Sequence, residues 1–301
     1  MFWFLITILS CFFSALAALG DKYLLSGLPG PKSYSFYVGI LGILVLVLVP
    51  FVGFTIPAID QVFLSLLAGS IFELALFALY TALNNFETSR VIPAIGGILP
   101  LSTFGLTYLL SPGKEILGLQ ELIAFIFLVL GSVFIGLEES KGISFKSFKI
   151  SAIAAFLFAF SFVLSKFVYL KQPFWSGFIL MRIGGFLVAL CFLWSKEVKK
   201  DLFQRKFAFQ KKTSIIFLLN QVVGSGSSIL QNWAIALVPF GLLPFVNALE
   251  GTKYVFLLIF TVFLSLKFPK ILKEEISRKI LSQKLFAILL IGLGLILLTF
   301  R

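Results

Sequence analysis

Four ionisable residues stand in the middle of long apolar runs: Glu73, Arg182, Glu250 and Lys253. A charged side chain at bilayer depth costs about 2.5–3.5 kcal/mol on insertion scales, so such residues face a bundle interior or a wet cavity and mark a pathway. Two acids and two bases cancel, the arrangement expected if all four share one cavity and screen one another. Glu250 and Lys253 are i and i+3 on one helical face, with Asn247 three residues earlier on it. Cations so placed can hold the anionic part of a substrate while a carboxylate takes up and releases a proton or cation. The competing reading is that the four only lock helices together.

Uncharged polar residues extend the set. Gln221, Ser225, Ser228 and Asn232 fall on one stripe of an otherwise apolar helix, a spacing suited to lining an aqueous cavity or bonding across helices. Tyr80, Thr81, Asn84 and Asn85 do similar work at the end of another. The candidate substrate-binding residues are therefore Glu73, Tyr80, Arg182, Gln221, Ser228, Asn232, Asn247, Glu250 and Lys253.

Enzymatic chemistry is disfavoured. The chain has no His, which removes imidazole bases and His metal ligands, and it carries neither a paired-carboxylate motif such as DxxD nor a Ser-centred elbow. No metal or cofactor is expected. Cys11 and Cys191 sit in apolar runs with no CxxC partner and read as inert packing residues.

These groups must be positioned by a membrane bundle. Of 301 residues, 59% are hydrophobic and 13% charged, against roughly 45–50% and about 25% in soluble domains, so the surplus apolar surface must meet lipid. Ten apolar runs are long enough to span a bilayer core: about 2 to 20, 37 to 53, 61 to 83, 89 to 110, 119 to 137, 149 to 170, 174 to 194, 214 to 238, 243 to 266 and 284 to 300. Strand alternation is absent, so the fold class is all-α integral membrane with ten transmembrane helices. The first run, lacking a basic lead-in, reads as a retained helix rather than a cleaved signal.

The net charge of +12 is asymmetric. Nineteen of the 25 Lys and Arg fall in loops after odd-numbered helices, above all those after helices 7 and 9. That side is expected to be cytoplasmic in a cell (inner) membrane, with both termini outside. Lys114, Lys166, Lys171 and Arg301 are assigned to the other side. The basic loops read as topology signals and lipid-headgroup contacts, and no nucleic-acid partner is expected.

Self-comparison gives two halves, 1–140 and 149–301. The segment 13–23 aligns with 157–167, Ala82-Leu83 with Ala236-Leu237, Gly97 with Gly251, and Ala124 and Gly131 with Ala287 and Gly294. Five helices per half is an odd number, so the repeats are inverted, the arrangement of secondary transporters with a midplane site. Helix 4 also concentrates Pro93, Gly96, Gly97, Pro100 and Gly105, which favours a bending or cavity-forming role.

The stretch Tyr80-Thr81-Ala82-Leu83, Thr88-Ser89-Arg90-Val91-Ile92-Pro93, Leu99-Pro100-Leu101, Ser111-Pro112-Gly113-Lys114-Glu115 and Leu119-Gln120 resembles the end of helix 3 and the fourth-to-fifth helix region of EamA-type proteins of the drug/metabolite transporter superfamily. The resemblance implies a ten-helix carrier moving small metabolites through a cavity lined by helices including 3, 4, 8 and 9. The charge pattern departs from it, because such proteins usually keep both termini cytoplasmic and a basic loop after helix 2. The leading expectation is a secondary transporter of small polar or zwitterionic metabolites working by alternating access, with Glu73 and Glu250 as candidate proton or cation sites. Lipid or lipid-linked sugar flipping and a non-transporting scaffold are the alternatives. Expected partners are a small-molecule substrate and membrane lipids, with a homodimer as a further candidate.

Overall fold

The computed structural model describes residues 2–25, 30–86, 88–110, 118–136, 145–203, 211–253, 255–257, 259–260 and 278–299. Among these no strand is present. The helices are α1 (Phe2–Leu25), α2 (Pro31–Gly42), α3 (Ile59–Asn85), α4 (Thr88–Leu110), α5 (Leu119–Gly136), α6 (Phe145–Lys171), α7 (Phe174–Cys191), α8 (Lys196–Phe203), α9 (Lys211–Leu237), α10 (Leu243–Ala248) and α11 (Arg278–Thr299). Among the described residues, five segments are long and apolar enough to cross a membrane: Phe2–Gly20, Pro31–Phe51, Ile59–Asn85, Phe148–Lys171 and Phe174–Trp194. Large apolar side chains on separate helices, Val47, Phe63, Leu109, Val222 and Leu289, are 65–72% exposed. Such a surface is stable against acyl chains and not against water, so the chain is an all-helical, membrane-embedded protein.

In lipid, helix association rests on close packing and interhelical hydrogen bonds rather than on removal of apolar surface from water. The α3–α7 seam shows both. A Cβ at Gly69 would collide with the Met181 carbonyl oxygen, and one at Gly184 with that of Leu66. The two backbones therefore touch at two levels, and Ser70 Oγ donates to Gly184 O at 3.1 Å. Polar ties also fix α6 on α3: Ser161 Oγ donates to Ala68 O (2.9 Å) and Gln172 Nε2 to Ser65 Oγ (2.7 Å). Gly69→Ala and Gly184→Ala should each destabilise the fold by about 1–3 kcal/mol through overpacking. Thermal unfolding in detergent, with Gly226→Ala as the unobstructed control, measures this.

Several expectations change. Helix 2 begins at Pro31 rather than near 37 and passes into a 3-10 helix over Ile43–Phe51, after which Gly53 (φ 63°) turns the chain. Helix 4 is continuous despite its two prolines; Gly96 and Gly97 serve close approach to Ser132 and Val133 of α5. Helix 9 is not continuous from 243: α10 ends at Ala248, residues 249–250 form a turn, and helix resumes at 251. There Glu250, Thr252 and Lys253 N–H groups bond three residues back, a 3-10 tightening. Side chains from other helices reach the carbonyls at this point, Ser132 Oγ to Ala248 O (3.2 Å) and Cys11 Sγ to Leu249 O (3.5 Å). Cys11 is buried, as expected of a packing residue, whereas Cys191 is exposed.

Lys166 is a further correction. It is not a loop residue: only 3% of it is exposed, and its Nζ donates to Ala236 O at 2.9 Å. A buried cation on one of the last carbonyls of α9 satisfies an orphan acceptor and the negative end of that helix.

α5 and α11 pack against each other reciprocally. A Cβ at Gly131 would lie 3.0 Å from Ala287 O, and one at Gly294 would lie 3.0 Å from Ala124 O.

Candidate functional site

Glu73 lies near the middle of α3 and Arg182 near the middle of α7, on the seam made close by Gly69 and Gly184. Both line one partly open cavity, walled by Val38, Gly39 and Gly42 of α2, Ser161 and Ser165 of α6, and Asn232 of α9. The small residues are needed there: a Cβ at Gly39 would sit 3.2 Å from the Glu73 carboxylate and would also clash with Ala189.

Among the described residues no hydrogen bond or ion pair within 4 Å joins the two groups, although each feels the other's charge. Glu73 is 3% exposed, and its Oε1 is buried without a hydrogen-bond partner. Arg182 donates to Ser228 Oγ, and its guanidinium carbon lies 5.0 Å from the Phe178 ring centroid and 5.7 Å from that of Phe72. Cation–π contact holds the guanidinium plane without neutralising it. Asn232 supports the same edge, accepting from Tyr169 Oη (2.9 Å) and donating to Ser228 O (2.9 Å). A carboxylate and a guanidinium thus face one space from fixed positions, each with bonding capacity left, a geometry that a ligand bearing both charges can complete.

The other expected residues lie elsewhere. Glu250 belongs to a separate cluster between α1, α9 and the turn at 249–250: Gln231 Nε2 stands 3.4 Å from Glu250 Oε1, Ser10 Oγ 3.2 Å from Gln231 Oε1, and Ser227 Oγ donates to Ser10 O at 2.9 Å. Lys253 follows on the next turn and is half-buried. The four charges therefore occupy two places rather than one cavity. Asn247 donates to Thr103 Oγ1 (2.7 Å) and ties α10 to α4. Tyr80 packs edge-on to Tyr34 at 4.8 Å beside Phe217. Gln221 is half-buried on α9, outside the cavity lining.

Sequence reasoning missed Tyr169, Phe72 and Phe178, which look like ordinary core aromatics, and Ser10, a lone hydroxyl in an apolar helix. A signal for Tyr169 exists in retrospect: a phenol in an apolar run needs a partner for its hydroxyl.

Comparison with known proteins yields the fold alone. No family model matches the chain, and no curated protein matches it. Among solved structures, a crystal structure of another protein is similar with a TM-score of 0.66 at 16% sequence identity, covering 99% of this chain and 96% of that one. The whole helical architecture therefore has a counterpart in a solved protein, end to end.

Proposed function

We propose that this chain is a secondary transporter of small zwitterionic metabolites, working by alternating access around the Glu73–Arg182 cavity. The observation that carries this reading is that both groups line one cavity at mid-helix depth with no hydrogen bond between them. A closed structural ion pair would satisfy both groups, whereas Glu73 Oε1 keeps an unfilled acceptor site. A substrate ammonium on Glu73 and a substrate carboxylate on Arg182 would satisfy both.

The proposed architecture is ten spans in two inverted five-helix repeats, of the EamA type. It is supported by reciprocity of contact: Ala124 and Gly131 align with Ala287 and Gly294, and each glycine packs on the alanine carbonyl of the other helix at the same 3.0 Å. Residue i meeting j' while j meets i' is what a two-fold relation requires. Likewise α3 packs on α6, and α9 on α1, the pairing expected if helices 3 and 6 correspond to 8 and 1. Glu250, held apart from the cavity beside a tightened turn, is the proposed second ion site, in keeping with interrupted helices at transporter ion sites.

The test is reconstitution. Purified protein in liposomes, offered a panel of amino-acid-like and other zwitterions under proton and sodium gradients, should accumulate at least one of them; no flux under any gradient would remove the reading. A reporter fused after Arg301 should be active outside the cell if the basic loops are cytoplasmic, and activity inside would reverse that orientation.

A further inference from the structure

The helix α2 supplies one wall of the cavity, through Val38, Gly39 and Gly42. Its span is also less buried than those of α3, α6 and α7. In the span Pro31–Phe51, 22% of the apolar window is buried, against 50% in Phe174–Trp194 and 56% in Phe148–Lys171, and no residue of the 3-10 stretch Ile43–Phe51 is buried.

The N-terminus of α2 lacks a cap of its own. Its N-cap is Gly30, which has no side chain, and Pro31 follows with no N–H to offer. Acidic groups come from α8 instead. Ser33 Oγ donates to Asp201 Oδ2 at 2.6 Å, and the Glu197 carboxylate lies so close to Gly30 that a Cβ there would collide with it, Cδ being 2.9 Å away. Two carboxylates thus sit at the positive end of α2, where negative charge is favoured. Val198, fully buried between them in sequence, seats α8 in place.

The opposite edge of α8 is basic. Lys196, Lys199 and Lys200 are exposed. Trp194, 80% exposed at the end of the preceding span, is of the type that settles at the membrane–water boundary, which puts α8 at headgroup depth. Three lysines on the outer edge there match the phosphates of anionic lipids.

We propose that α8 is a lipid-dependent clasp: its acidic edge holds the end of α2 and keeps the cavity closed on that side, and its lysine edge binds anionic headgroups. Phosphates that engage the lysines fix α8 at the headgroup plane and hold its carboxylates against the end of α2, so the clasp tightens; a neutral bilayer offers the lysines no such anchor. The proposal rests on the cavity being the transport site, but its test needs no substrate.

Val38→Cys, in a Cys11→Ala/Cys191→Ser background, reports opening of the cavity through its labelling rate with a water-soluble maleimide. Nanodiscs expose both faces, so orientation does not enter. Labelling should be about fivefold slower in phosphatidylglycerol than in phosphatidylcholine nanodiscs, and Lys196→Gln/Lys199→Gln/Lys200→Gln should abolish the difference. Asp201→Asn and Ser33→Ala, separately, should each raise labelling about fivefold or more in phosphatidylglycerol. Unchanged labelling in both single variants overturns the clasp; equal or faster labelling of the parent protein in phosphatidylglycerol overturns its dependence on lipid. Absence of flux in liposomes with these results intact would count against the transport reading alone.

Discussion

Arg182→Gln is expected to weaken binding of a transported zwitterion by about a hundredfold or more, and Arg182→Lys to restore little of it. The guanidinium is fixed by three contacts that differ in kind: the Ser228 hydroxyl and the faces of Phe178 and Phe72. Truncating one member of a buried, hydrogen-bonded charge contact costs about 2–5 kcal/mol, which corresponds to roughly thirtyfold to several thousandfold in Kd. An ammonium is compact and strongly hydrated, and it lacks the planar fork that lies on the two rings while presenting further donors to a carboxylate. Equilibrium binding of a compound shown to move in liposomes measures both variants. A loss of less than about threefold in Arg182→Gln would mean that the guanidinium is not the anion anchor.

How far these features were readable without a structure depends on which physical quantity encodes them. Span positions follow from hydropathy summed over about twenty residues, and a charge in mid-run stands out against it, so Glu73 and Arg182 were legible from residue type alone. Their convergence was not. It depends on how α3 and α7 are rotated about their axes, and that rotation is set by Gly69 and Gly184 meeting the Met181 and Leu66 carbonyls, contacts with no trace in hydropathy. The same gap explains the polar stripe of α9. Ser228 and Asn232 of the stripe turn toward Arg182 and Tyr169, while Ser227 and Gln231, outside it, turn toward Ser10 and Glu250, so one helix feeds two clusters.

Loop charges misled for a different reason. A count of basic residues by side treats every Lys near a helix end as solvated, yet Lys166, inside α6, donates to a carbonyl at the end of α9. The acids of α8 were hidden in the same way: Glu197 and Asp201 lie in a segment whose lysines dominate the charge, and their contact with α2 spans more than 160 residues of chain. The turn at 249–250 has no proline to announce it. Its cause is partly non-local, in the donors that Ser132 and Cys11 bring to Ala248 O and Leu249 O. The segment 111–115 of the resemblance motif lies outside the described residues.

Glu73→Gln should separate stability from function. A carboxylate that is 3% exposed, with one oxygen lacking any partner, is held in place at a desolvation cost, and a neutral amide of the same shape lowers that cost. Thermal stability in detergent should therefore hold or rise. Gradient-driven flux should fall to background, a loss of two orders of magnitude or more, because the amide can neither balance a substrate ammonium nor exchange a proton with it. If Glu73 instead served as the structural counter-ion of Arg182, the same change would strand a buried guanidinium and destabilise the fold by about 3–5 kcal/mol. The two roles thus predict opposite signs in one measurement. A marked drop in melting temperature would assign the carboxylate to the scaffold; retained stability with lost flux would assign it to the substrate or its coupled ion, since no scaffold role survives removal of the charge unharmed.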